Sequence, residues 1–348
     1  MYKKLVFPWL SRMEAEGVHE RTLSLLAWAQ QSAVGRAGLR LLAGPLPPQP
    51  VALFGLRFPH VLGMAAGFDK DVRVAAGLAL LGFGHVEVGT LTPRPQMGNP
   101  HPRIFRLKAD EALINRMGFP NGGVTTAVSC LQQLQNRDFV LGVSLGKQKE
   151  TPLVEAAQDY VTVMQAVYPY ADYLAVNISS PNTPGLRELQ GGNYLGHLLA
   201  VLRQENGRLA QAQAVWQRPL LVKIAPDLTW PELDEILTAV QDNQISGIIA
   251  TNTTLSRDGL VDGNRDQPGG LSGRPLRQRS TEIIAYIQRQ MNGRLPIIGV
   301  GGVQTADDVQ AKLDAGASLV QLYTSLIYEG PQLPGRILRG LSKMPSKL

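Results

Sequence analysis

The segment richest in hydrogen-bonding side chains runs from Tyr173 to Arg187, with the sequence YLAVNISSPNTPGLR. Its first residues are apolar and β-prone, and polar side chains follow at once: Asn177, Ser179, Ser180, Asn182 and Thr183. Pro181, Pro184 and Gly185 fix the turn, so the pattern predicts a strand whose end holds amide and hydroxyl groups rigidly. Asn, Ser and Pro also favour turns for conformational reasons alone, so an ordinary polar turn is the alternative interpretation.

Two lysines add cationic groups to this candidate site. Lys223 lies inside the apolar run LLVKIAP, and burying an unpaired ammonium is costly, so Lys223 must be paired or face an anionic ligand. Lys70 follows the small residues Ala65 to Gly67, which would let a flat ligand approach the backbone. A single lysine in such a place can equally be a solvated surface charge.

Short apolar runs that end in Gly, Asn, Thr or Ser supply the scaffold. There are eight: Val61–Gly67, His85–Thr90, Val140–Gly146, Tyr173–Ser179, Leu220–Pro226, Gly247–Thr253, Leu295–Gly302 and Leu319–Ser325. Helix-like sequence separates most of them, at Pro152–Tyr168, Tyr194–Leu209, Trp230–Asn243, Ser280–Asn292 and Thr305–Ala315. Thr305 and Asp308 have the spacing of a capping box. Eight buried strands alternating with helices favour an α/β fold of the (β/α)8 TIM barrel type over a doubly wound sheet, with the active face at the strand C-termini.

Two segments fall outside the eight units. Pro93 to Arg116 is predicted to form an excursion over the barrel mouth. Residues 1–44 are predicted to form an N-terminal amphipathic helical extension, joined by the proline-rich stretch Gly44 to Pro50 to a barrel of residues 45–348. Its apolar faces are marked by Leu5, Trp9 and Met13, and by Leu23, Leu26, Ala27 and Gln30. Such stripes also occur on helices that simply pack on their own domain.

The last two runs favour a phosphate site. They end in Gly299-Val300-Gly301-Gly302 and in Tyr323-Thr324-Ser325, and barrels often bind phosphate after strands seven and eight through backbone N–H groups. Glycine also serves tight turns. Together with Lys223 the pattern suggests an anionic cofactor, and FMN fits, with its ring over the first two strands and Lys223 beside the ring edge that becomes negative on reduction.

Composition excludes several classes of protein. With 348 residues, of which 44% are hydrophobic, the chain can bury one large core. Its one cysteine, Cys130, rules out an internal disulfide and a cysteine-ligated cluster and favours a reducing compartment; with five scattered histidines, no metal site is expected. No stretch approaches the roughly 20 apolar residues of a spanning helix, and charged residues interrupt any signal-peptide core. The net charge of +6 is too spread out to identify a partner.

Six motifs, in order along the chain, resemble those of the class 2 dihydroorotate dehydrogenases, the quinone-dependent, membrane-associated type. They are AGFDK (66–70), NRMGF (115–119), NISSPNTPG (177–185), TNTT (251–254), GGLSG (269–273) and GVGG (299–302). The resemblance runs from about Met1 to Gly335. Class 1 enzymes of the family carry cysteine at the position of Ser180 and lack the N-terminal helical segment, so both features favour class 2.

The resemblance implies roles for individual residues. Contacts to FMN are implied for Ala66, Gly67, Phe68, Asp69, Lys70, Thr90, Ser144, Asn177, Lys223, Thr251, Gly273, Gly302, Tyr323 and Thr324. Dihydroorotate or orotate would be held by Lys70, Asn115, Arg116, Met117, Gly118, Phe119, Asn177, Asn182, Asn252 and Thr253. Ser180 matches the catalytic base, with Thr183 in its proton exit. Arg106 and His19 would lie near a quinone tunnel between the N-terminal helices and the barrel.

The implied activity is oxidation of (S)-dihydroorotate to orotate with a membrane quinone as acceptor, in de novo pyrimidine biosynthesis. The implied location is peripheral, on the cytoplasmic face of a membrane. Residues 1 to 40 carry six basic and three acidic side chains, a net charge of +3 that suits an anionic membrane surface. No nucleic-acid partner is implied, and the sequence fixes neither the quinone nor the oligomeric state.

One motif departs from the family pattern. Residues 142–148 read GVSLGKQ where the family has GVNIGKN, so Ser144 replaces an asparagine that contacts flavin in the family. The shorter hydroxyl would reach the same partner through water.

Two other classes of protein are the alternatives. A flavin barrel that reduces uridine in transfer RNA would also be basic, but it would carry a catalytic cysteine and an RNA-binding extension, and Cys130 falls in a helix-like stretch. A non-enzymatic phosphate-binding barrel would explain the glycines and leave Ser180, Lys223 and the asparagines without a use.

Overall fold

The N-terminal segment is helical and packs on the rest of the chain. The computed structural model describes residues 2–134 and 137–344. Met1 of the predicted N-terminal segment, and residues 135–136 and 345–348 of the predicted barrel, therefore lie outside the described residues. The helices are α1 (Tyr2–Leu5), α2 (Phe7–Leu10), α3 (Ala15–Gln31) and α4 (Ala33–Ala43). Ser32 ends α3 and its side chain accepts a hydrogen bond from Gly35 N, which starts α4 as the second arm of a hairpin. Leu23, Leu26 and Leu39 are buried.

A closed barrel of eight parallel strands follows. A hairpin of β1 (Val51–Leu53) and β2 (Leu56–Phe58) precedes it. In chain order the barrel strands are β3 (Leu62–Met64), β4 (His85–Leu91), β7 (Val140–Leu145), β8 (Tyr173–Asn177), β9 (Leu220–Ile224), β10 (Gly247–Ala250), β12 (Ile297–Val300) and β13 (Leu319–Leu322). Seven of them lie within predicted runs and β4 extends one residue beyond its run, to Leu91, so the predicted TIM barrel is confirmed. Phe58 belongs to the same buried cluster as Val140 and Leu319, the first residues of β7 and β13, so the hairpin covers that end of the barrel.

Helices cover the outside of the barrel. They are α5 (Ala75–Leu80), α6 (Gly123–Leu131), α7 (Ala156–Val167), α8 (Gly192–Gln213), α9 (Trp230–Asp242), α10 (Arg277–Gln290), α11 (Ala306–Asp314), α12 (Thr324–Glu329) and α13 (Leu333–Leu341), with short 3₁₀ turns at Gln132–Leu134, Leu153–Glu155, Leu186–Gln190 and Arg274–Leu276. The predicted capping box of Thr305 and Asp308 starts α11, and Thr229 with Glu232 forms a second one at α9. Within residues 2–134 and 137–344, no helix is long and apolar enough to cross a membrane.

A small antiparallel sheet lies beside the barrel mouth. It consists of β5 (Ile104–Leu107), β6 (Ala112–Asn115) and β11 (Gly270–Gly273), with β6 in the centre. The predicted excursion from Pro93 to Arg116 supplies two of these strands. The third comes from the segment after β10, so two distant loops are joined into one rigid cover.

A buried ion pair holds the helical hairpin against this excursion. Arg103 donates from Nε and Nη2 to the carboxylate of Glu16 near the start of α3, at 2.7 to 3.1 Å. Arg103 also donates to the carbonyls of Met97 and Asn99. Because both partners are largely buried, removing either one would leave an uncompensated charge.

Candidate active site

A cavity opens at the C-terminal ends of the barrel strands, where the barrel fold places active sites. Its empty volume is about 1210 Å³, part of which is open to solvent. Most of the expected site residues line it: Ala66, Gly67, Lys70, Thr90, Asn115, Met117, Gly118, Phe119, Asn177, Ser180, Asn182, Lys223, Thr251, Asn252, Thr253, Gly273, Gly302, Tyr323 and Thr324. Residues from all six motifs, together with Thr90, Lys223, Tyr323 and Thr324, therefore converge on one space, as the pattern of strand ends predicts.

Other expected residues lie outside the cavity lining. The carboxylate of Asp69 accepts hydrogen bonds from the backbone N–H groups of Arg73 and Val74, both at 2.7 Å, so it shapes the turn after β3. The guanidinium of Arg116 donates to Pro102 O and lies over the ring of Phe105. Their expected contacts with cofactor or substrate stay predictions, and both side chains have a structural partner already.

Ser144, Phe68 and Thr183 also lie behind the lining. Ser144 is buried, with its Oγ 2.9 Å from Thr90 Oγ1, and Thr90 does line the cavity. A serine at this position therefore acts on the cavity through Thr90. Phe68 packs its ring edge-on against Tyr323. Thr183 is buried, and its Oγ1 has no hydrogen-bond partner within the part of the chain that the structure describes.

Hydrogen bonds among asparagines orient the polar groups of the cavity. Asn177 donates from Nδ2 to Thr90 Oγ1 at 2.8 Å, and Asn252 donates to Asn177 Oδ1 at 3.3 Å. Across the cavity, Asn182 donates to Asn115 Oδ1 at 3.0 Å. Each amide is held by a neighbour from another strand end or loop, so the set is arranged before any ligand binds.

Ser180 lies within this network. Its Oγ accepts a hydrogen bond from Asn182 N at 3.2 Å, and the residue is 6% exposed and lines the cavity. The loop from Ser179 is anchored from outside by Arg187, which donates to the carbonyls of Ser179 and Thr253. The strand-end loop thus presents one hydroxyl to the cavity at a fixed position.

Both predicted cations reach the cavity. Lys70 donates from Nζ to Gly67 O at 2.7 Å. Burial lowers the pKa of Lys70, and the carboxylates of Glu16 and Glu20 oppose that shift. Lys223 is buried and forms an ion pair with Glu87 Oε1 at 3.2 Å, so the prediction that it must be paired is satisfied within the protein.

Glu87 is a residue that the sequence analysis missed. It occupies β4 and is fully buried. The signal was present, because a carboxylate inside the apolar run from His85 to Thr90 needs a buried partner for the same reason as Lys223. The apolar lining from Ile104, Leu113 and Leu276 was missed as well, since it depends on how the small sheet folds over the mouth.

The glycines of the cavity have backbone conformations and surroundings that suit a closely bound ligand. Gly67 has φ +99°, and a Cβ there would meet only the Tyr323 ring, at 3.7 Å, so the surface beside it is open. Gly302 has φ +68°, and its Cβ would lie 2.5 Å from Arg277 Cα, so no larger residue fits. Thr253 Oγ1 and Ser325 Oγ, both of lining residues, are buried without a partner among the described residues. Open glycine surface, a cation and unused hydroxyls fit a phosphorylated flavin.

The two residues expected near a quinone lie toward the N-terminal segment. His19 on α3 packs edge-on against Phe68, which in turn contacts Tyr323 of the cavity lining, with centroid distances of 5.1 and 5.8 Å. Burial, together with the charge of Lys70, lowers the pKa of His19 to about 3, so its ring is neutral at physiological pH. Arg106 on β5 donates to Met13 O at 2.8 Å. Neither residue lines the cavity itself.

Two further classes of site find no support among the described residues. No group of three His, Cys, Asp or Glu side chains could hold a metal ion there. A catalytic cysteine would have to line the cavity. Cys130 lies on α6 and is not among the lining residues.

Comparison with known proteins identifies the family of this chain. Residues 50–344 match the family model described as dihydroorotate dehydrogenase. The chain is 47% identical to the dihydroorotate dehydrogenase (quinone) of Synechococcus sp. (strain JA-2-3B'a(2-13)), over 99% of this chain and 94% of that protein. It is 49% identical to the protein of the same name from Chloroflexus aurantiacus (strain ATCC 29366 / DSM 635 / J-10-fl), over 95% of this chain and 93% of that one.

Solved structures give the same result. A crystal structure of DHODH from Eimeria tenella in complex with ferulenol superimposes with a TM-score of 0.81 at 37% identity, covering 89% of this chain and 90% of that chain. The ligand-free type of the same enzyme gives a TM-score of 0.80 at 38% identity, covering 88% and 92%. On its sequence, its fold and the residues gathered at the barrel mouth, this chain belongs to the dihydroorotate dehydrogenase family.

Proposed function

We propose that this protein oxidises (S)-dihydroorotate to orotate and passes the electrons to a quinone, a step of de novo pyrimidine biosynthesis. Its relatives at 47% and 49% identity are named dihydroorotate dehydrogenase (quinone). The observation that carries the proposal is the convergence of Ser180, Lys70 and Lys223 with four asparagines on one cavity at the active face of the barrel.

The cofactor would be FMN, and when bound it would supply the redox chemistry that links oxidation of the substrate to reduction of the quinone. Backbone N–H groups at Gly302 and Thr324, after β12 and β13, would hold its phosphate. Ala66, Gly67 and Thr90 would lie along its ring, and Lys223 would place a positive charge at the ring edge. Family membership supports a flavin, and the glycine surface with the phosphate-type strand ends supports FMN in particular.

Substrate binding is assigned to the amide network. Dihydroorotate carries a carboxylate and a ring with amide groups, which require a cation and several donors and acceptors in fixed positions. Lys70 supplies the cation, and the side chains of Asn115, Asn177, Asn182 and Asn252 supply the rest. Their mutual hydrogen bonds limit how far each can turn, so the substrate C5 and C6 atoms are presented in one orientation.

Ser180 is the base that takes the proton from C5. A free serine is a poor base near neutral pH, so its hydroxyl needs a proton exit and a favourable field. The backbone N–H of Asn182, 3.2 Å from Ser180 Oγ, favours negative charge on that oxygen. Thr183 Oγ1, buried and without a partner among the described residues, is the nearest unused hydroxyl in the sequence and serves as the proton exit.

Residues 1–44 act as a separate segment for membrane and quinone access, and residues 45–348 as the FMN barrel. The helices leave large apolar side chains exposed, namely Leu5, Trp9, Leu25, Trp28 and Leu41. With a net charge of +3 over residues 1 to 40, this surface suits peripheral binding to an anionic membrane, on its cytoplasmic face. His19 of this segment and Arg106 on β5, which donates to Met13 O of the segment, would contact the quinone.

The experiment that tests the proposal is optical. The purified protein should be yellow, and anaerobic addition of dihydroorotate should bleach the flavin absorbance, which a quinone should then restore. Flavin released by heat should co-elute with FMN and not with FAD or riboflavin. A flavin-loaded protein that dihydroorotate fails to bleach would refute the assigned activity.

A further inference from the structure

A carboxylate inside the barrel gathers side chains from three other strands. Glu87 on β4 is fully buried, and Oε1 accepts from Lys223 Nζ of β9 at 3.2 Å. Its second oxygen, Oε2, accepts from Tyr173 OH of β8 and from Gln321 Nε2 of β13, each at 3.1 Å. Gln321 also donates to Tyr173 OH, at 3.2 Å. Both carboxylate oxygens are therefore occupied, and only Lys223 of this group also lines the cavity.

The backbone makes room for this arrangement. Gly142 on β7 lies in register between Glu87 and Tyr173. A Cβ at position 142 would stand 2.1 Å from Tyr173 Cζ, so only glycine lets the tyrosine ring cross β7 and reach the carboxylate. The contact between Tyr173 of β8 and Glu87 of β4 therefore depends on a glycine at position 142 of β7.

The charges within the group have a definite distribution. Burial, and then the charge of Glu87, raises the pKa of Tyr173 well above its usual range, so the phenol remains a neutral donor. Glu87 is then the counter-ion of Lys223, whose side chain is only 6% exposed. An ammonium buried to this extent without a counter-ion would lose much of its preference for the protonated state.

We propose that Glu87 is a positioning residue, which holds Lys223 protonated and fixed at the cavity floor so that the flavin always faces a positive charge. The inference rests on the proposed function, since it requires a flavin in the cavity. A reduced flavin carries negative charge at the ring edge, and a fixed cation beside that edge stabilises the charge. Glu87 is not among the residues that line the cavity, so it acts through Lys223, which does line it.

The variant Glu87→Gln separates this role from packing. Glutamine has nearly the same shape as glutamate and keeps one oxygen that accepts hydrogen bonds, but it carries no negative charge. A buried ammonium without a counter-ion is destabilised relative to the neutral amine, so the positive field at the cavity should weaken as the pH rises.

The measurement is FMN binding to the flavin-free full-length protein, by quenching of FMN fluorescence, at several values from pH 6.5 to 9. The ratio of variant to native Kd cancels the titration of FMN itself. For Glu87→Gln we expect this ratio to rise at least tenfold over the range, along a one-proton curve. In Glu87→Gln/Lys223→Arg, where the guanidinium stays charged throughout, the ratio should be flat. In Glu87→Gln/Lys223→Met, which has no charged group at position 223, the Kd ratio should also be independent of pH, but it should be high at every pH.

Each outcome decides one point. A ratio for Glu87→Gln that does not change with pH overturns the positioning role, whereas failure of native apoprotein to bind FMN at all overturns the proposed function instead. If Glu87→Gln does not fold, the neutral pair Glu87→Gln/Lys223→Met decides. A folded double variant shows that the unpaired lysine was the defect and supports the role, and an unfolded one shows that Glu87 is needed for packing alone.

Discussion

At the scale of single residues, the proposed chemistry depends on the hydroxyl of Ser180. Ser180→Ala removes the proposed base and changes little else, because within residues 2–134 and 137–344 the Ser180 side chain accepts a single hydrogen bond, from Asn182 N. We expect FMN content and orotate affinity to stay within about twofold, and the rate of flavin reduction by dihydroorotate to fall about 10²- to 10⁴-fold, the usual contribution of a general base. Anaerobic stopped-flow absorbance measures that rate.

The matched variant is Ser180→Cys, which restores an ionisable group at the same position and should recover part of the rate. In the native protein the rate should rise with pH, because removing a proton from the hydroxyl network becomes easier. Flavin reduction at the native rate in Ser180→Ala would exclude Ser180 as the base.

Ser144 allows a test of how the departure from the family motif is accommodated. Its Oγ contacts Thr90 Oγ1 at 2.9 Å, and Thr90 in turn receives the amide of Asn177. We expect Ser144→Asn to fold and to bind FMN as tightly as the native protein or more tightly, because the longer amide can reach a flavin atom directly. Fluorescence titration of the flavin-free protein gives the affinity. Loss of FMN binding would mean that the backbone around β7 differs from the family geometry.

The sequence motifs predicted many of the residues that line the cavity, but they could not separate cavity contacts from supporting contacts within one motif. Lys70 and Asp69 are neighbours in AGFDK, yet Lys70 lines the cavity and Asp69 binds the backbone of Arg73 and Val74. The side-chain direction depends on the turn that follows β3, and residue type alone does not specify it. Glu87 could have been identified, because the burial argument applied to Lys223 holds for any ionisable group in an apolar strand.

At the scale of elements, local patterns predicted the strands and missed what depends on distant partners. The eight barrel strands are short apolar runs with a turn signal at the end, a signal contained within each run. The small sheet is different, because β6 pairs with β11 across Leu113 and Ser272, far apart in sequence. No pattern within Pro93 to Arg116 indicates that partner.

The N-terminal stripe shows a second limit. Leu5, Trp9 and Met13 have helical spacing, but the chain forms two separate turns, α1 and α2, and Met13 lies beyond both. Pro8 lacks a backbone N–H and is tolerated only in the first turn of a helix, so α2 must begin next to it and α1 must end before it. Leu5 and Trp9 are 64% and 63% exposed, and therefore do not pack on the barrel.

The exposed apolar surface of the helical segment leads to a prediction about the second half of the reaction. In Trp9→Glu/Trp28→Glu, binding to anionic vesicles and turnover with a long-chain quinone should each fall at least tenfold, because charged side chains resist entry into the membrane interface. Flavin bleaching by dihydroorotate should keep its native rate. Vesicle sedimentation and quinone-linked turnover measure the two effects.

A tryptophan elsewhere on the surface gives the control. Trp216 follows α8 and is 92% exposed, so Trp216→Glu adds the same kind of charge away from the helical segment. It should leave vesicle binding and quinone turnover unchanged. Equal losses in both variants would show that charge in general weakens membrane binding, and the helical segment would lose its assigned role.

At the scale of the whole molecule, the end of the barrel covered by the β1–β2 hairpin contains two histidines that are neutral in the folded protein near pH 7. His85 is fully buried on β4 with its ring edge-on to Phe58, and burial, with the nearby charge of His60, lowers its pKa to about 3. Burial lowers the pKa of His60 to about 4. As the pH falls below the usual histidine pKa of 6.5, the unfolded chain therefore binds protons that the folded barrel does not bind.

This difference makes the barrel sensitive to acid. For a histidine whose pKa is lower in the folded state, the stabilisation is complete above pH 6.5 and is lost as the pH falls toward the folded pKa, because protons bind preferentially to the unfolded chain. Each such group contributes a slope of about 1.4 kcal/mol per pH unit within that window. Other groups, including the carboxylates, add their own slopes, so only a comparison between variants isolates one histidine.

We therefore expect His85→Met to reduce the slope of the unfolding free energy against pH by about 1.4 kcal/mol per pH unit between pH 6 and pH 4, whatever its effect on stability at pH 7. Urea unfolding followed by circular dichroism at pH 4, 5, 6 and 7 gives that slope. His197→Gln is the control, since His197 is exposed on α8 and should leave the slope unchanged. If His85→Met and the native protein lose stability in parallel as the pH falls, His85 takes up its proton inside the folded barrel, and the acid sensitivity must arise from other groups.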